Sequence, residues 1–80
     1  MEDPALRVHW FRVLSDLTHQ GFRSRSVARR LAVAKSTVLG WKAGAEPRHS
    51  DGERLIALWC EKTGREKSSV PVISYYDWRA

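Results

Sequence analysis

Three of this chain's five glycines, Gly21, Gly44 and Gly64, fall where an apolar helical stripe runs out. Glycine takes the left-handed backbone that ends helices at little steric cost, so the pattern predicts several short helices rather than one long one. The first stripe is Leu6, Trp10, Val13, Leu14 and Leu17, whose spacing keeps them on one side of a helix. Asp3-Pro4 supplies its start: an N-cap acceptor, then a proline whose missing N–H costs nothing in the first turn. A second helix is expected from a Ser24 cap through Val27, Ala28 and Leu31, and a third from Lys35 to about Ala43. Glu46-Pro47-Arg48-His49 reads as a loop, because proline pushes its predecessor out of helical geometry. Ser50-Asp51-Gly52-Glu53 has the form of a capping box. The fourth helix it would open carries Leu55, Ile56, Leu58 and Trp59 and ends after Lys62, a cation suited to the negative end of a helix.

Residues 65–69 form a polar linker, and the segment from Val70 to Trp78 changes character, being β-branched and aromatic with Pro71 near its start. Such a segment suits an edge strand or an extended packing arm. The expected fold class is therefore all-α, a bundle of four to five helices with a short extended C-terminal arm. At 80 residues the chain has room for one core, divided here into a helical domain over 1–64 and a linker plus arm over 65–80.

Charge is unevenly distributed. Arg23, Arg25, Arg29, Arg30, Lys35, Lys42 and Arg48 lie close together in sequence with Glu46 as the one acid among them, so this third of the chain carries +6, more than the whole chain's net +5. Clustering of this kind is the footprint expected for a polyanionic partner. No apolar run approaches the roughly 18–20 residues of a membrane span, and Met1-Glu2-Asp3-Pro4 is acidic where a signal peptide would be basic. A single cysteine, Cys60, cannot form an internal disulfide and suits a reducing compartment. A cytoplasmic location and no membrane contact are expected.

Catalysis is not expected. His9, His19, His49 and Cys60 lack metal-ligand spacing, no nucleophile–base set is suggested, and the glycines form neither GxGxxG nor a phosphate-binding loop. Neither a cofactor nor a metal is expected. Trp10, Trp41 and Trp59 sit at helical spacing among aliphatic residues, which assigns them to the core rather than to base stacking.

The informative stretch is residues 24–44. Ala28 is small where two helices would cross, while Leu31, Val33, Val38 and Trp41 are apolar and face a shared core. The run Val27-Ala28-Arg29-Arg30-Leu31-Ala32-Val33-Ala34-Lys35-Ser36-Thr37-Val38-Leu39-Gly40-Trp41-Lys42-Ala43-Gly44 resembles the helix-turn-helix of phage repressor and Cro-type DNA-binding proteins. That family pattern is Leu-Ala-x-x-Leu-Gly-Val-Ser-x-x-Thr-Ile-x-x-Trp-x-x-Gly. The resemblance implies a sequence-specific, double-stranded DNA-binding transcriptional regulator, of phage or prophage type, acting as a dimer. Two positions depart from the pattern. Ala32 stands where the family has glycine, and a left-handed alanine costs about 1 kcal/mol or more. Ala34 stands where a Ser or Thr would cap the next helix, a loss of typically ~1 kcal/mol.

The resemblance places base-reading positions at Lys35, Ser36, Leu39 and Gly40, with Thr37 beside them as a further DNA-binding residue. Lysine can donate to guanine, serine to a base or phosphate, and leucine can touch a thymine methyl. Phosphate contacts fall to Ser24 and Arg25 at the second helix's N-terminus, with Lys42 and Arg48 beyond the third helix. Arg29 and Arg30 read as a solvated face. For the arm, two uses are open: Val72 to Tyr76 pairing with a second copy, as Cro-like proteins dimerise, or folding back on its own helices. An alternative function is that of a small phage-encoded inhibitor that keeps the fold but binds a host protein.

Overall fold

The computed structural model describes residues 6–74. In chain order they form β1 (Leu6–Val8), α1 (Trp10–His19), α2 (Ser24–Leu31), α3 (Lys35–Lys42), α4 (His49–Thr63), a single 3₁₀ turn (Lys67–Ser69) and β2 (Val72–Ser74). The fold is thus mostly helical but not all-α, because β1 and β2 pair as an antiparallel ribbon. Leu6 faces Ser74, Arg7 faces Ile73, and Val8 faces Val72.

The ribbon corrects the sequence reading at the first helix. Leu6 has the right spacing to continue the α1 stripe, yet it lies in β1 and is 46% exposed. Helical spacing is a local signal, whereas Val72–Ser74 offers Leu6–Val8 a backbone partner from the far end of the sequence. His9 then opens α1, its Nδ1 accepting from the Arg12 amide at 3.4 Å, while its own N–H donates to the Pro71 carbonyl at 2.9 Å. Asp3 and Pro4, like Tyr75, Tyr76 and Trp78, lie outside the described residues. The arm's strand therefore pairs within its own chain, which leaves only its opposite edge for another partner.

Two caps also differ from expectation. Ser24 is the first residue of α2 rather than its cap; Arg23 holds that position in extended geometry, and no side chain caps the turn. The Ser50 box does not form, because α4 begins earlier, after Arg48 at ψ 158°. Asp51 in its first turn suits the positive helix end, with ion pairs to Arg48 at 3.8 Å and Arg54 at 3.7 Å. At the other end Gly64 closes α4 at φ +73°, the left-handed cap that glycine accepts without a Cβ clash.

One core joins the four helices. Val13, Leu14 and Leu17 of α1 pack with Val27, Ala28 and Leu31 of α2, Val38 and Trp41 of α3, and Leu55, Leu58 and Trp59 of α4. Full burial of a large apolar side chain contributes roughly 1.5–3 kcal/mol, so these residues dominate the favourable side of folding. Two of the three buried tryptophans donate their indole N–H groups to carboxylates. Trp59 donates to Asp16 Oδ2 at 3.0 Å, and Trp10 donates to Glu46 Oε2 at 3.3 Å. Glu46 also pairs with Arg7 at 3.4 Å, which ties the loop after α3 to β1. Gly52 lies under the Trp10 ring, where a Cβ would stand 3.2 Å from Cη2. Val70 packs against the core from beyond α4.

Candidate functional site

The connection between α2 and α3 is three residues long, Ala32 to Ala34. Ala32 adopts φ 58°, ψ 43°, the one left-handed non-glycine among the described residues. The Val33 amide returns to the Ala28 carbonyl at 3.0 Å, closing the end of α2. Ala34 occupies the N-cap of α3 in extended geometry and offers no side-chain acceptor. Both departures from the family pattern thus fall at the positions whose backbone gives glycine and a capping residue their value.

Val38 and Trp41 turn inward from α3, being 0% and 4% exposed, so the opposite side of this helix faces outward. Lys35, Leu39 and Lys42 recur at i, i+4 and i+7 along that side. They form one wall of an open groove of about 630 Å³, whose other wall is Arg23, Ser24, Arg25 and Ser26 at the start of α2, with Thr18 of α1 at its end. Five residues expected at the site, Ser24, Arg25, Lys35, Leu39 and Lys42, therefore converge on one concave surface.

The remaining four lie elsewhere. Ser36 and Thr37 are exposed on the first turn of α3, beside the groove rather than in it. Gly40 is half-buried under the following loop: its carbonyl accepts from the Ala45 amide at 2.9 Å, and a Cβ there would meet the Ala45 side chain at 3.9 Å. Arg48 sits at the start of α4, its side chain 89% exposed and ion-paired to Asp51.

Arg23, Ser26 and Thr18 join the site unannounced. Arg23 belonged to the basic cluster in sequence. Ser26 lies on α2 itself, two residues after Ser24, whereas Thr18 carries no sequence signal, because only the fold brings the end of α1 to the groove beside the start of α2.

The groove's electrostatics are one-sided. Arg7, Arg12, Arg30, Arg48, Arg54, Lys62 and Lys67 each pair with a carboxylate. Among the described residues no carboxylate lies within ion-pair distance of Arg23, Arg25, Lys35 or Lys42. Neither α2 nor α3 has an acidic residue in its first turn or a side chain capping it. The positive ends of both helix dipoles thus add to four uncompensated side-chain charges.

Among the described residues no group of three or more His, Cys, Asp or Glu is placed to hold a metal ion, and no helix is long and apolar enough to cross a membrane. Comparison with family models, with curated proteins and with solved structures finds no match for this chain.

Proposed function

We propose that this chain is a non-enzymatic, sequence-specific regulator that binds double-stranded DNA through α2, the Ala32–Ala34 turn and α3, acting as a helix-turn-helix of the phage repressor and Cro type. The observation that carries this reading is the groove: Arg23, Arg25, Lys35 and Lys42 line one concave surface with no acid to balance them. Arg29 and Arg65 also have no carboxylate within ion-pair distance among the described residues and lie outside the groove. A domain that needs charge only for hydration still has no reason to gather four such cations on one concave surface. A phosphate backbone supplies the missing anions.

In this reading the exposed side of α3 enters the major groove. Lys35 and Ser36 meet base edges, and Leu39, 46% exposed among the cations, meets a thymine methyl. Arg23, Arg25 and the free amides of α2's first turn bind phosphate on one side, and Lys42 binds it on the other. These phosphate contacts set register without selecting sequence. Regulation follows from occupancy: a bound protein excludes other proteins from the same duplex. Two copies on a two-fold site double the readout. Leu6 and Val72 share a side of the ribbon and are 46% and 55% exposed, which supports the ribbon as the seam between copies. A Val72→Asp variant that sediments like the parent would remove the ribbon from that role.

The test is equilibrium binding to labelled duplex DNA across a salt series. Neutralising three phosphates per protomer, through Arg23, Arg25 and Lys42, gives a log–log slope of about −2.7. Arg23→Ala and Lys42→Ala should each weaken binding to every sequence and flatten the slope by about 1. Lys35→Ala should cost ~1–3 kcal/mol on a selected site and relax base preference there. Absence of salt-dependent duplex binding overturns the reading and leaves the groove to an acidic protein surface, the inhibitor alternative.

A further inference from the structure

We propose that Arg54, on α4 and outside the groove, is a positioning residue that sets the angle of α3 by clamping the peptide that launches the turn; its consequence for DNA rests on the function proposed above. The Arg54 guanidinium donates from Nη2 to the Leu31 carbonyl at 2.7 Å. This is the last carbonyl of α2, and it belongs to the peptide plane that leads into left-handed Ala32. The final carbonyls of a helix have no partner within the helix, and a charged donor there forms the stronger, charge-assisted kind of hydrogen bond. Fixing that plane restricts φ of Ala32, and φ of Ala32 decides where Val33, Ala34 and then α3 go.

The clamp is itself aimed. Asp51 is 7% exposed, and its Oδ1 lies 3.7 Å from Arg54 Nη1, one turn earlier on the same helix. The Arg54 side chain is 51% exposed and takes no part in the apolar core, so its removal leaves core packing in place. An alanine at position 32 makes the clamp matter: the Ala32 and Val33 amides bond back to α2 at 3.3 and 3.0 Å, and the charge-assisted Arg54 bond adds the hold that keeps a strained residue from relaxing.

The test compares the full chain with Arg54→Ala and Arg54→Lys. Amide hydrogen exchange is read at Val33 and, as reference, at Val13 and Leu17 in α1. Duplex binding is read as the ratio of affinity for a selected site to that for random sequence. In Arg54→Ala the Val33 amide should exchange roughly tenfold or more faster, beyond any change shared with α1. The affinity ratio should fall at an unchanged salt slope, since every groove cation remains. Arg54→Lys, which keeps a charged donor, should recover part of both effects. Exchange that rises equally at Val33 and in α1 overturns the clamp, as does an unchanged affinity ratio in a parent that discriminates. If the parent binds no duplex, the functional reading fails while the exchange comparison still decides whether Arg54 holds the turn.

Discussion

Replacing Ala32 with glycine should make the protein more stable, against the usual direction for a glycine substitution. Ala32 is exposed and held at φ 58°, ψ 43°. An L-residue in that region carries roughly 1–2 kcal/mol of strain between Cβ and the following carbonyl, and glycine removes it. Glycine also gives the unfolded chain more freedom, which offsets about 0.4–1 kcal/mol of the gain. No buried contact is lost, because the alanine methyl faces solvent. The net expectation is stabilisation of about 0.5–1 kcal/mol, which for a domain of this size raises the melting temperature by about 2–8 °C. Gly64 is an internal reference, ending α4 in the same region at φ +73°. The assay is urea unfolding followed by tryptophan fluorescence, since Trp10, Trp41 and Trp59 are all buried. The midpoint should rise with an unchanged slope. Ala32→Val should move it the other way, because a β-branched side chain fits the left-handed region worst. A glycine variant with an equal or lower midpoint at constant slope would refute the strain argument.

Ala34→Ser should stabilise by typically ~1 kcal/mol, since an extended N-cap with no side-chain acceptor already stands ready for the hydroxyl; the same unfolding experiment measures it. Asp16→Ala should cost about 1–3 kcal/mol by leaving the fully buried Trp59 indole N–H without its acceptor, detected as a lowered midpoint. Glu61 gives a pH dependence. Burial acts to raise its carboxyl pKa, but the Lys62 hydrogen bond and the charge and hydrogen bond of Arg30 outweigh that and hold it below its ordinary 4.5. The folded state therefore favours the charged carboxylate. Its contribution to stability is complete above the ordinary value and is lost as pH falls through the lowered one, so Glu61→Gln should flatten the acid limb of a stability-against-pH curve.

The helical stripes from Trp10 onward were legible because each repeats within a few residues and needs only its own neighbours. The bounds of α3 and the stop at Gly64 were legible for the same reason. Leu6 shows the limit: its spacing to Trp10 fits a helix, but the backbone partner that wins is Val72–Ser74, which no local window contains. Ser50–Glu53 matches a capping pattern, yet the helix starts ahead of it, where Arg48 is extended and Asp51 meets two arginines. At the candidate site, the density of positive charge was readable residue by residue. Its direction was not. Arg30 reads in sequence like Arg25, but pairs with Glu61 at 2.8 Å across to α4, while Arg25 faces the groove unopposed. Thr18 reaches that groove only because α1 ends beside the start of α2.

The β1–β2 ribbon has a consequence for how the chain can be cut and rejoined. Leu6 and Ser74 are cross-strand partners, and Cα atoms of such partners stand about 5 Å apart. A peptide trimmed to residues 6–74 can therefore be stitched head to tail by a few glycines and reopened between Gly44 and Pro47 without rerouting any helix. In that permuted molecule α4, with Arg48 at its start, would be translated before α1, and the basic residues from Arg23 to Lys42 would come last.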